Sequence, residues 1–249
     1  KDILDRKSTV VTHAPTEANA ANLAAGFMEE VKSRYAGTRL GRQELDGILL
    51  DDAEGALWSS AGIEAARCET ATEFSRVVVA VDPPVTGHSG SDECGIVVVG
   101  VVQDGPPRDW RAVVLEDASV SAATPLVWAQ AALDAMTRHG ADRLVAEVNQ
   151  GGDLVETMMR QVDPTVNYRA VRATVGKIAR AEPVAALYEQ GRVRHLGLLA
   201  KLEDEMCKMS LTGYEGQGSP DRVDALVWAL TEGMLVPAKS RLNPAIRNL

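Results

Sequence analysis

The run Arg76–Asp82 is the sequence feature that most constrains the fold. It places four valines and one alanine in succession and ends on an aspartate. A short apolar run rich in β-branched residues is typical of a strand that is buried on both faces. The stretch that follows, Pro83–Asp92, is rich in glycine, proline and serine and predicts a turn. We therefore expect the chain from residue 74 onward to build its core around a buried β-strand.

Two more strands, and then alternating helices and strands, are predicted after that run. Strands are expected at Cys94–Gln103 and Trp110–Asp117, and the short links make these three strands antiparallel neighbours. The remaining predicted elements are helices at 124–139, 153–162, 177–190, 198–209 and 221–235 and strands at 143–148, 168–171 and 193–195. This order predicts an α/β fold in which a mixed sheet, with three antiparallel strands followed by strand–helix units, is flanked by helices.

The first 72 residues show no pattern that could form a core of their own. One helix is predicted between Glu17 and Tyr35, and a polar stretch punctuated by glycine follows it. We expect 1–72 to be a linker or the end of an upstream domain, 73–237 to be the main domain and 238–249 to be a C-terminal tail. The chain does not begin with methionine, which fits a piece of a longer protein.

Composition limits the classes of protein to which the chain can belong. There are 26 Lys and Arg against 35 Asp and Glu, a net charge of −9, which argues against nucleic-acid binding through the whole surface but not against a local basic groove. Cys68, Cys94 and Cys207 form no CxxC pair, so we expect a reducing compartment and no disulfide framework or structural zinc. No apolar stretch approaches the length of a membrane span, and from the charged first residues we expect no secretory signal.

Acidic residues close two of the predicted strands and open the last helix. Asp82 ends the first strand, Glu147 ends the fourth, and Asp221 and Asp224 lie three residues apart on one helix face. Carboxylates that converge repel one another unless a cation lies between them, and hard oxygen ligands suit Mg²⁺ or Mn²⁺. Two such ions can activate water and stabilise the leaving oxygen of a phosphodiester. The pattern indicates a metal-dependent nuclease; the alternative is that these acids only open loops and that Asp221 caps its helix.

Six stretches of the sequence share their order and context with one known family. They are Ala36–Leu45 with Glu54–Trp58, Val79–Pro83, Ser91–Ile96, Glu147–Asp153, Gly176–Lys177 with Arg180–Ala181, and Ser219–Ala225. In these motifs the chain resembles, from about residue 12 to residue 235, the large terminase subunit of tailed bacteriophages, prophages and gene-transfer agents. Such proteins join an N-terminal packaging ATPase to a C-terminal nuclease with an RNase H-like fold. The nuclease cuts concatemeric DNA when packaging starts and when the head is full.

The resemblance implies a two-metal catalytic centre at the acidic residues. Asp82 would be the first metal-binding carboxylate and Glu147 the second, while Asp221 and Asp224 share the third position and either could dominate. Many relatives read His-Asp-Asp here, followed by a further Asp; a Ser-Pro pair replaces the first two residues in this chain, which leaves the secondary ligand open. The cofactor would be two Mg²⁺ or Mn²⁺ ions, and cleavage would leave 3′-hydroxyl and 5′-phosphate ends. We expect little sequence dependence, because no element is typical of a base-reading helix.

Further candidate site residues lie near these acids. Asp92, in the turn after the first strand, is a candidate ligand of a metal or of an outer-shell water, and the alternative is a turn-forming aspartate. Between Arg169 and Lys208, eight basic and five acidic residues give a local charge of +3. Lys177 and Arg180, on one helix face, are the favoured DNA contacts in this stretch, against the alternative of a solvated face.

Aromatic and histidine residues outside these motifs form no ligand pattern. Trp110, Trp128 and Trp228 fall within strand or helix patterns and are assigned to the core. His139 and His195 are not spaced as ligands, and each is expected to be a surface residue or a hydrogen-bonded core residue.

The resemblance also implies partners and a location. The substrate would be double-stranded DNA, and the full-length protein would include the packaging ATPase and contact the portal protein and the small terminase subunit, with no membrane involved. The location would be the host bacterial cytoplasm, and transiently the portal of the procapsid. No G-x-x-x-x-G-K-[ST] loop occurs, so residues 1–72 would be the end of the ATPase part and its linker.

Other functions remain open at this point. A junction resolvase or transposase-like nuclease has the same fold and would prefer particular DNA structures. A sugar or acetate kinase-like phosphotransferase would need a second nucleotide-binding lobe, for which 249 residues offer no candidate segment. A non-catalytic module that docks on the portal or another motor subunit has no need for converging acids, so metal binding would separate it from a nuclease. The loop Gly213–Ser219 beside Asp221 is a candidate gate of the site.

Overall fold

The computed structural model describes Val10 and residues 14–35, 45, 47, 52–70, 73–84, 93–121, 123–148 and 152–236. The chain forms two units, Lys1–Asp52 and Ala53–Leu249. The described part of the first unit contains a 3₁₀ helix at Thr16–Asn22, of which no residue is buried, and helix α1 at Ala25–Tyr35. The one helix predicted here is therefore two, and the break follows the extended backbone of Leu23.

The second unit is built around a mixed sheet. Its strands are β1 (Arg67–Cys68), β2 (Arg76–Asp82), β3 (Glu93–Val102), β4 (Arg111–Asp117), β5 (Val120–Ser121), β6 (Arg143–Glu147), β7 (Tyr168–Val171) and β8 (Val193–Leu196). Their order is β1-β8-β4-β3-β2-β6-β7, with β5 paired to the start of β3. The pairs β2–β3 and β3–β4 are antiparallel, whereas β2–β6, β6–β7, β4–β8 and β1–β8 are parallel. The predicted α/β fold, with three antiparallel strands followed by strand–helix units, is confirmed.

Helices cover both faces of this sheet. They are α2 (Ser60–Ala65), α3 (Pro125–His139), α4 (Gly152–Val162), α5 (Lys177–Glu189), α6 (Ala200–Met206) and α7 (Asp221–Leu230), which continues into a π-helical turn at Thr231–Leu235. The helix predicted at 198–209 is shorter than expected because a hairpin, β9 (Met209–Ser210) and β10 (Gly213–Tyr214), begins just after it. Within the described residues, every helix is too short or too polar to cross a membrane.

The valine run of β2 supplies both apolar layers. Val78 and Ala80 pack in the layer that contains α7, whereas Val79 and Val81 pack in the layer that contains α3 and α4. All four side chains have no exposed surface. Successive side chains of a strand point to opposite faces, so a continuous apolar run is what a sheet covered on both sides requires.

Residues 53–70 are part of the second unit, which therefore begins upstream of the predicted boundary at residue 73. Trp58 and Ile63 are each 3% exposed and pack in the α7 layer. Strand β1 pairs in parallel with β8, and Arg67 Nη1 lies 3.1 Å from Glu203 Oε1. Residues 53–70 include few apolar side chains, but Trp58 and Ile63 pack into a core that is formed mainly by elements later in the chain. The assignment of residues 1–72 to an ATPase part stays a prediction, and 238–249 lie outside the described residues.

A glycine in β3 lets α7 lie directly against the sheet. Gly95 is the register partner of Asp82, and a Cβ at Gly95 would be 1.9 Å from the backbone oxygen of Asp221. Only a residue without a Cβ permits this approach of two backbones. The end of β2 and the first turn of α7 are thereby brought together.

We expect Gly95→Ala to push the first turn of α7 away from β3 and to lower the free energy of unfolding by about 1–3 kcal/mol, the usual cost of overpacking a core. Gly176→Ala is the matched control, because a Cβ at Gly176 would meet nothing within 4 Å and its φ of −60° suits alanine. Urea unfolding of both variants measures the effect. Equal unfolding midpoints would show that this close approach does not hold the helix.

Candidate active site

Parallel pairing of β2 and β6 places Asp82 beside Glu147. Val81 is the register partner of Ala146, and the two acids are the next residues along their strands. Helix α7 begins at the same edge of the sheet, where its first turn carries Asp221 and Asp224. The four acids singled out from the sequence are therefore neighbours at one edge.

The charges of these carboxylates act on one another. Burial raises the pKa of Asp82 well above its ordinary value, and the negative charges of Asp224, Glu147 and Asp221 raise it further, in that order. Burial also raises the pKa of Asp224, against the opposing effect of nearby basic groups. Asp224 is 2% and Glu147 is 5% exposed, so solvent screens this repulsion weakly. The edge therefore favours either protons or cations on its carboxylates.

Two basic side chains from the start of α5 supply positive charge next to these carboxylates. Arg180 lies between two acids, with Nη1 at 3.0 Å from Glu147 Oε2 and Nη2 at 3.2 Å from Asp224 Oδ1. Lys177 Nζ lies 2.5 Å from Asp224 Oδ2 and donates to Ser219 Oγ at 2.8 Å. The side chain of Arg180 is only 9% exposed. The prediction that Lys177 and Arg180 contact DNA stays untested, but both side chains already pair with acids of the site.

A tryptophan assigned to the core also touches the site. Trp228 Nε1 donates to Glu147 Oε2 at 2.5 Å, and the Arg180 guanidinium carbon lies 4.9 Å from the centroid of the Trp228 ring. Trp228 is 9% exposed, so it is a core residue as predicted, but its indole N–H orients a candidate catalytic carboxylate. Its position four residues after Asp224, on the same helix face, is the sequence signal that could have revealed this role.

The carboxylate oxygens of the site are suitable ligands for a hard divalent cation, but they are not arranged around a common point. Among the described residues, no three His, Cys, Asp or Glu side chains are arranged to enclose a metal ion. Arg180 and Lys177 occupy the positions between the acids, so cation binding at this edge requires that these contacts rearrange. Asp92 lies outside the described residues, and its predicted role stays a prediction.

The first turn of α7 is capped by a residue from another helix. Glu205 Oε2, just before the end of α6, accepts hydrogen bonds from the backbone N–H of Arg222 at 3.1 Å and of Val223 at 3.3 Å. The residue before the helix is Pro220, which supplies no side-chain cap. The alternative in which Asp221 caps its own helix is therefore wrong: Asp221 is the first helical residue, and Glu205 does the capping.

A buried arginine fixes this capping carboxylate. Arg222 is 4% exposed; its Nη1 contacts Glu205 Oε1 at 2.9 Å and also pairs with Glu93, while its Nε contacts Asp117 Oδ2 at 3.0 Å. Burial raises the pKa of Glu205 to about 8 and lowers the pKa of Arg222 to about 10. Desolvation thus penalises the charge on both groups, and the contacts within the network offset part of that cost. The partners lie far apart in sequence, so no local pattern could have predicted this network.

We expect Glu205→Ala to lower the free energy of unfolding by about 1–3 kcal/mol, because it leaves two backbone donors of α7 and part of the buried Arg222 guanidinium without an acceptor. Glu182→Ala, on an exposed position of α5, removes the same charge as a control. Urea unfolding distinguishes the two. A loss no larger than that of the control would show that Glu205 does not hold the helix.

Comparisons with known proteins support the fold described above. Among solved structures, the chain is similar to the large terminase nuclease from thermophilic phage G20c with bound cobalt, at 15% identity and a TM-score of 0.51 over 72% of this chain and 98% of that chain. The same nuclease with bound magnesium gives 15% identity and a TM-score of 0.50 over the same shares. A mutant nuclease domain of the large terminase subunit gp2 of bacterial virus Sf6, with manganese and beta-thujaplicinol, gives 15% identity and a TM-score of 0.50 over 70% and 98%.

The family is shown by sequence as well as by fold. No curated protein matches the sequence. Residues 79–232, which run from β2 through α7, match the family described as the terminase RNaseH-like domain. This match covers more than half of the chain and all four acids of the candidate site, so the chain belongs to the terminase RNaseH-like domain family.

Proposed function

We propose that this chain is the metal-dependent DNA endonuclease domain of a viral DNA-packaging motor, which cuts concatemeric DNA when packaging begins and when it is complete. The observation that carries the proposal is the convergence of Asp82, Glu147, Asp221 and Asp224 at one edge of the sheet. Membership of the terminase family supports DNA as the substrate. In the full-length protein, the partners would be the packaging ATPase, the portal protein and the small terminase subunit.

Asp82, Glu147 and the acids of α7 would hold two divalent ions, Mg²⁺ or Mn²⁺. Structures of the similar nucleases contain cobalt, magnesium or manganese, which supports a divalent ion here. When bound, the ions would activate the attacking water and stabilise the leaving oxygen of the phosphodiester. The chain itself orients the ligands: Trp228 and Arg180 both bond Glu147 Oε2, and Glu205 holds the turn that carries Asp221.

Between the two acids of α7, the geometry favours Asp224 as the third principal carboxylate. Asp224 repels Asp82 more strongly than Glu147 or Asp221 does, and it shares Arg180 with Glu147. Asp221 is more exposed and acts more weakly on Asp82. Asp221 would then be the secondary ligand at this edge.

Lys177 and Arg180 would neutralise the acids whenever no metal is bound. Each already pairs with a carboxylate of the site, so the repulsion among the acids is offset without a metal ion. A cation that enters would take over this task and release one or both side chains. The basic groups would thereby keep the acids close together until a metal ion displaces them.

Burial of several carboxylates side by side argues against the docking module. A docking surface gains nothing from acids that repel one another at the end of a buried strand, and the raised pKa of Asp82 reflects a cost to stability. The same-fold alternative, a junction resolvase or transposase-like nuclease, shares this chemistry. A preference for branched over linear duplex DNA would separate it from a packaging nuclease.

Asp82→Ala tests the nuclease directly. We expect the wild-type chain to nick supercoiled plasmid in Mn²⁺ or Mg²⁺ and not in EDTA, and the variant to lose this activity while it keeps its fold by circular dichroism. Asp134→Ala, at an exposed position of α3, is the control and should cut like wild type. Metal-dependent nicking that survives in Asp82→Ala would exclude this centre.

The pKa of Asp82 predicts how pH affects metal binding. Its folded-state pKa lies above its ordinary value, so without metal the charged form costs stability as pH rises through the folded-state pKa. Protons and metal compete for the carboxylate. We therefore expect Mn²⁺ to raise the melting temperature more at about pH 8 than at about pH 5.5, and Asp82→Asn to weaken this pH dependence. An identical pH dependence in Asp82→Asn would show that another group governs binding.

A further inference from the structure

An arginine cluster surrounds Glu232 where β2 and β6 begin, at the strand ends opposite to those that carry acids of the candidate site. Glu232, in the π-helical turn after α7, is 4% exposed. It pairs with Arg76 Nη2 at 2.6 Å, Arg143 Nη1 at 3.1 Å and Arg169 Nη1 at 2.7 Å. Three guanidinium groups thus share one carboxylate, and each guanidinium has five N–H donors. The cluster has more positive charge than the pairing of Glu232 requires.

A cavity of about 250 Å³ opens beside this cluster. Its walls include Arg169, Val171, Arg172, Trp228, Thr231 and Glu232. Arg172 is exposed and makes no hydrogen bond or ion pair with any residue that the structure describes. The four arginines and one glutamate of the cluster and cavity sum to +3, in a chain whose net charge is −9.

The cavity is adjacent to the acids of the candidate site. Trp228 lines it, and the indole N–H of the same residue donates to Glu147. Val171 is the register partner of Glu147, so Arg172 follows directly after the residue that pairs with that acid. A ligand in the cavity would therefore lie one side chain away from the cutting centre.

We propose that this arginine cavity binds a backbone phosphate of the DNA strand, beside the phosphodiester that is cut. This inference rests on the proposed nuclease function. Arginine forks match phosphate oxygens, and phosphate contacts set the register of a protein on DNA. Four acids at the cutting edge repel DNA, and Lys177 and Arg180 are engaged with those acids. Arg169 and Arg172 supply the positive surface that the strand needs there.

The test compares DNA affinity in arginine variants. A fluorescent DNA duplex of about 20 base pairs is titrated by anisotropy, in EDTA so that no cleavage occurs, with wild type, Arg172→Gln and Arg169→Gln/Arg172→Gln. Arg172→Gln removes no hydrogen bond or ion pair among the described residues, so it keeps the test valid if the double variant is unstable. Arg111→Gln/Arg194→Gln is the matched control, because both residues are exposed and lie on β4 and β8, across the sheet from β7.

We expect each cavity arginine that is removed to weaken binding by about threefold and to reduce the slope of log Kd against log salt by about one. The control pair should have a smaller effect. Unchanged affinity in Arg172→Gln and the double variant, equal losses in the control pair, or no duplex binding by wild type would each overturn the inference.

Failure of this inference can be told apart from failure of the nuclease. If Asp82-dependent nicking is present but the cavity variants bind duplex like wild type, only the phosphate contact is wrong. If the cavity variants lose duplex binding but wild type never cuts, the phosphate contact stands and the nuclease is wrong. Inorganic phosphate that stabilises wild type and not Arg172→Gln, with duplex affinity unchanged, would assign the cavity to a free anion and overturn the DNA contact.

Discussion

Arg180 links the acid at the end of β6 to one of the acids of α7, and the arrangement of these acids depends on this link. Its guanidinium contacts Glu147 at the end of β6 and Asp224 in the first turn of α7, and it stacks on Trp228. Without a cation between them, these buried carboxylates would repel one another. Under the proposed function a divalent ion would take this position, and a protein cation holds the acids together until it binds.

The rest of the fold serves to bring α7 to this point. Gly95 lacks the side chain that would separate the helix from β3, and Glu205 with Arg222 holds the first turn of the helix. A helix that begins with two aspartates facing other acids is not stable there by itself. Close packing against β3 and the buried ion-pair network of Arg222 together offset that electrostatic cost.

Local sequence patterns predict the sheet and single out the candidate acids, but they do not predict contacts between residues that are distant in the chain. The valine run of β2 carries a local signal, so the sheet was predicted correctly, and the acids that end β2 and β6 could be singled out as candidates for the same reason. The network of Arg222 joins residues that are distant in the chain, and residues 53–70 enter a core built by later elements; neither leaves a periodic pattern. The helical spacing of Trp228 predicts its place in the core, and only its position four residues after Asp224 points to the hydrogen bond that it donates to Glu147.

The most direct test of the central claim is a crystal structure of the chain soaked in Mn²⁺, with anomalous scattering to locate the metal. We expect two manganese peaks bounded by Asp82, Glu147 and the acids of α7, with Lys177 or Arg180 displaced from its present contacts. The absence of peaks there, with Arg180 still between Glu147 and Asp224 at a Mn²⁺ concentration that supports cleavage, would contradict it.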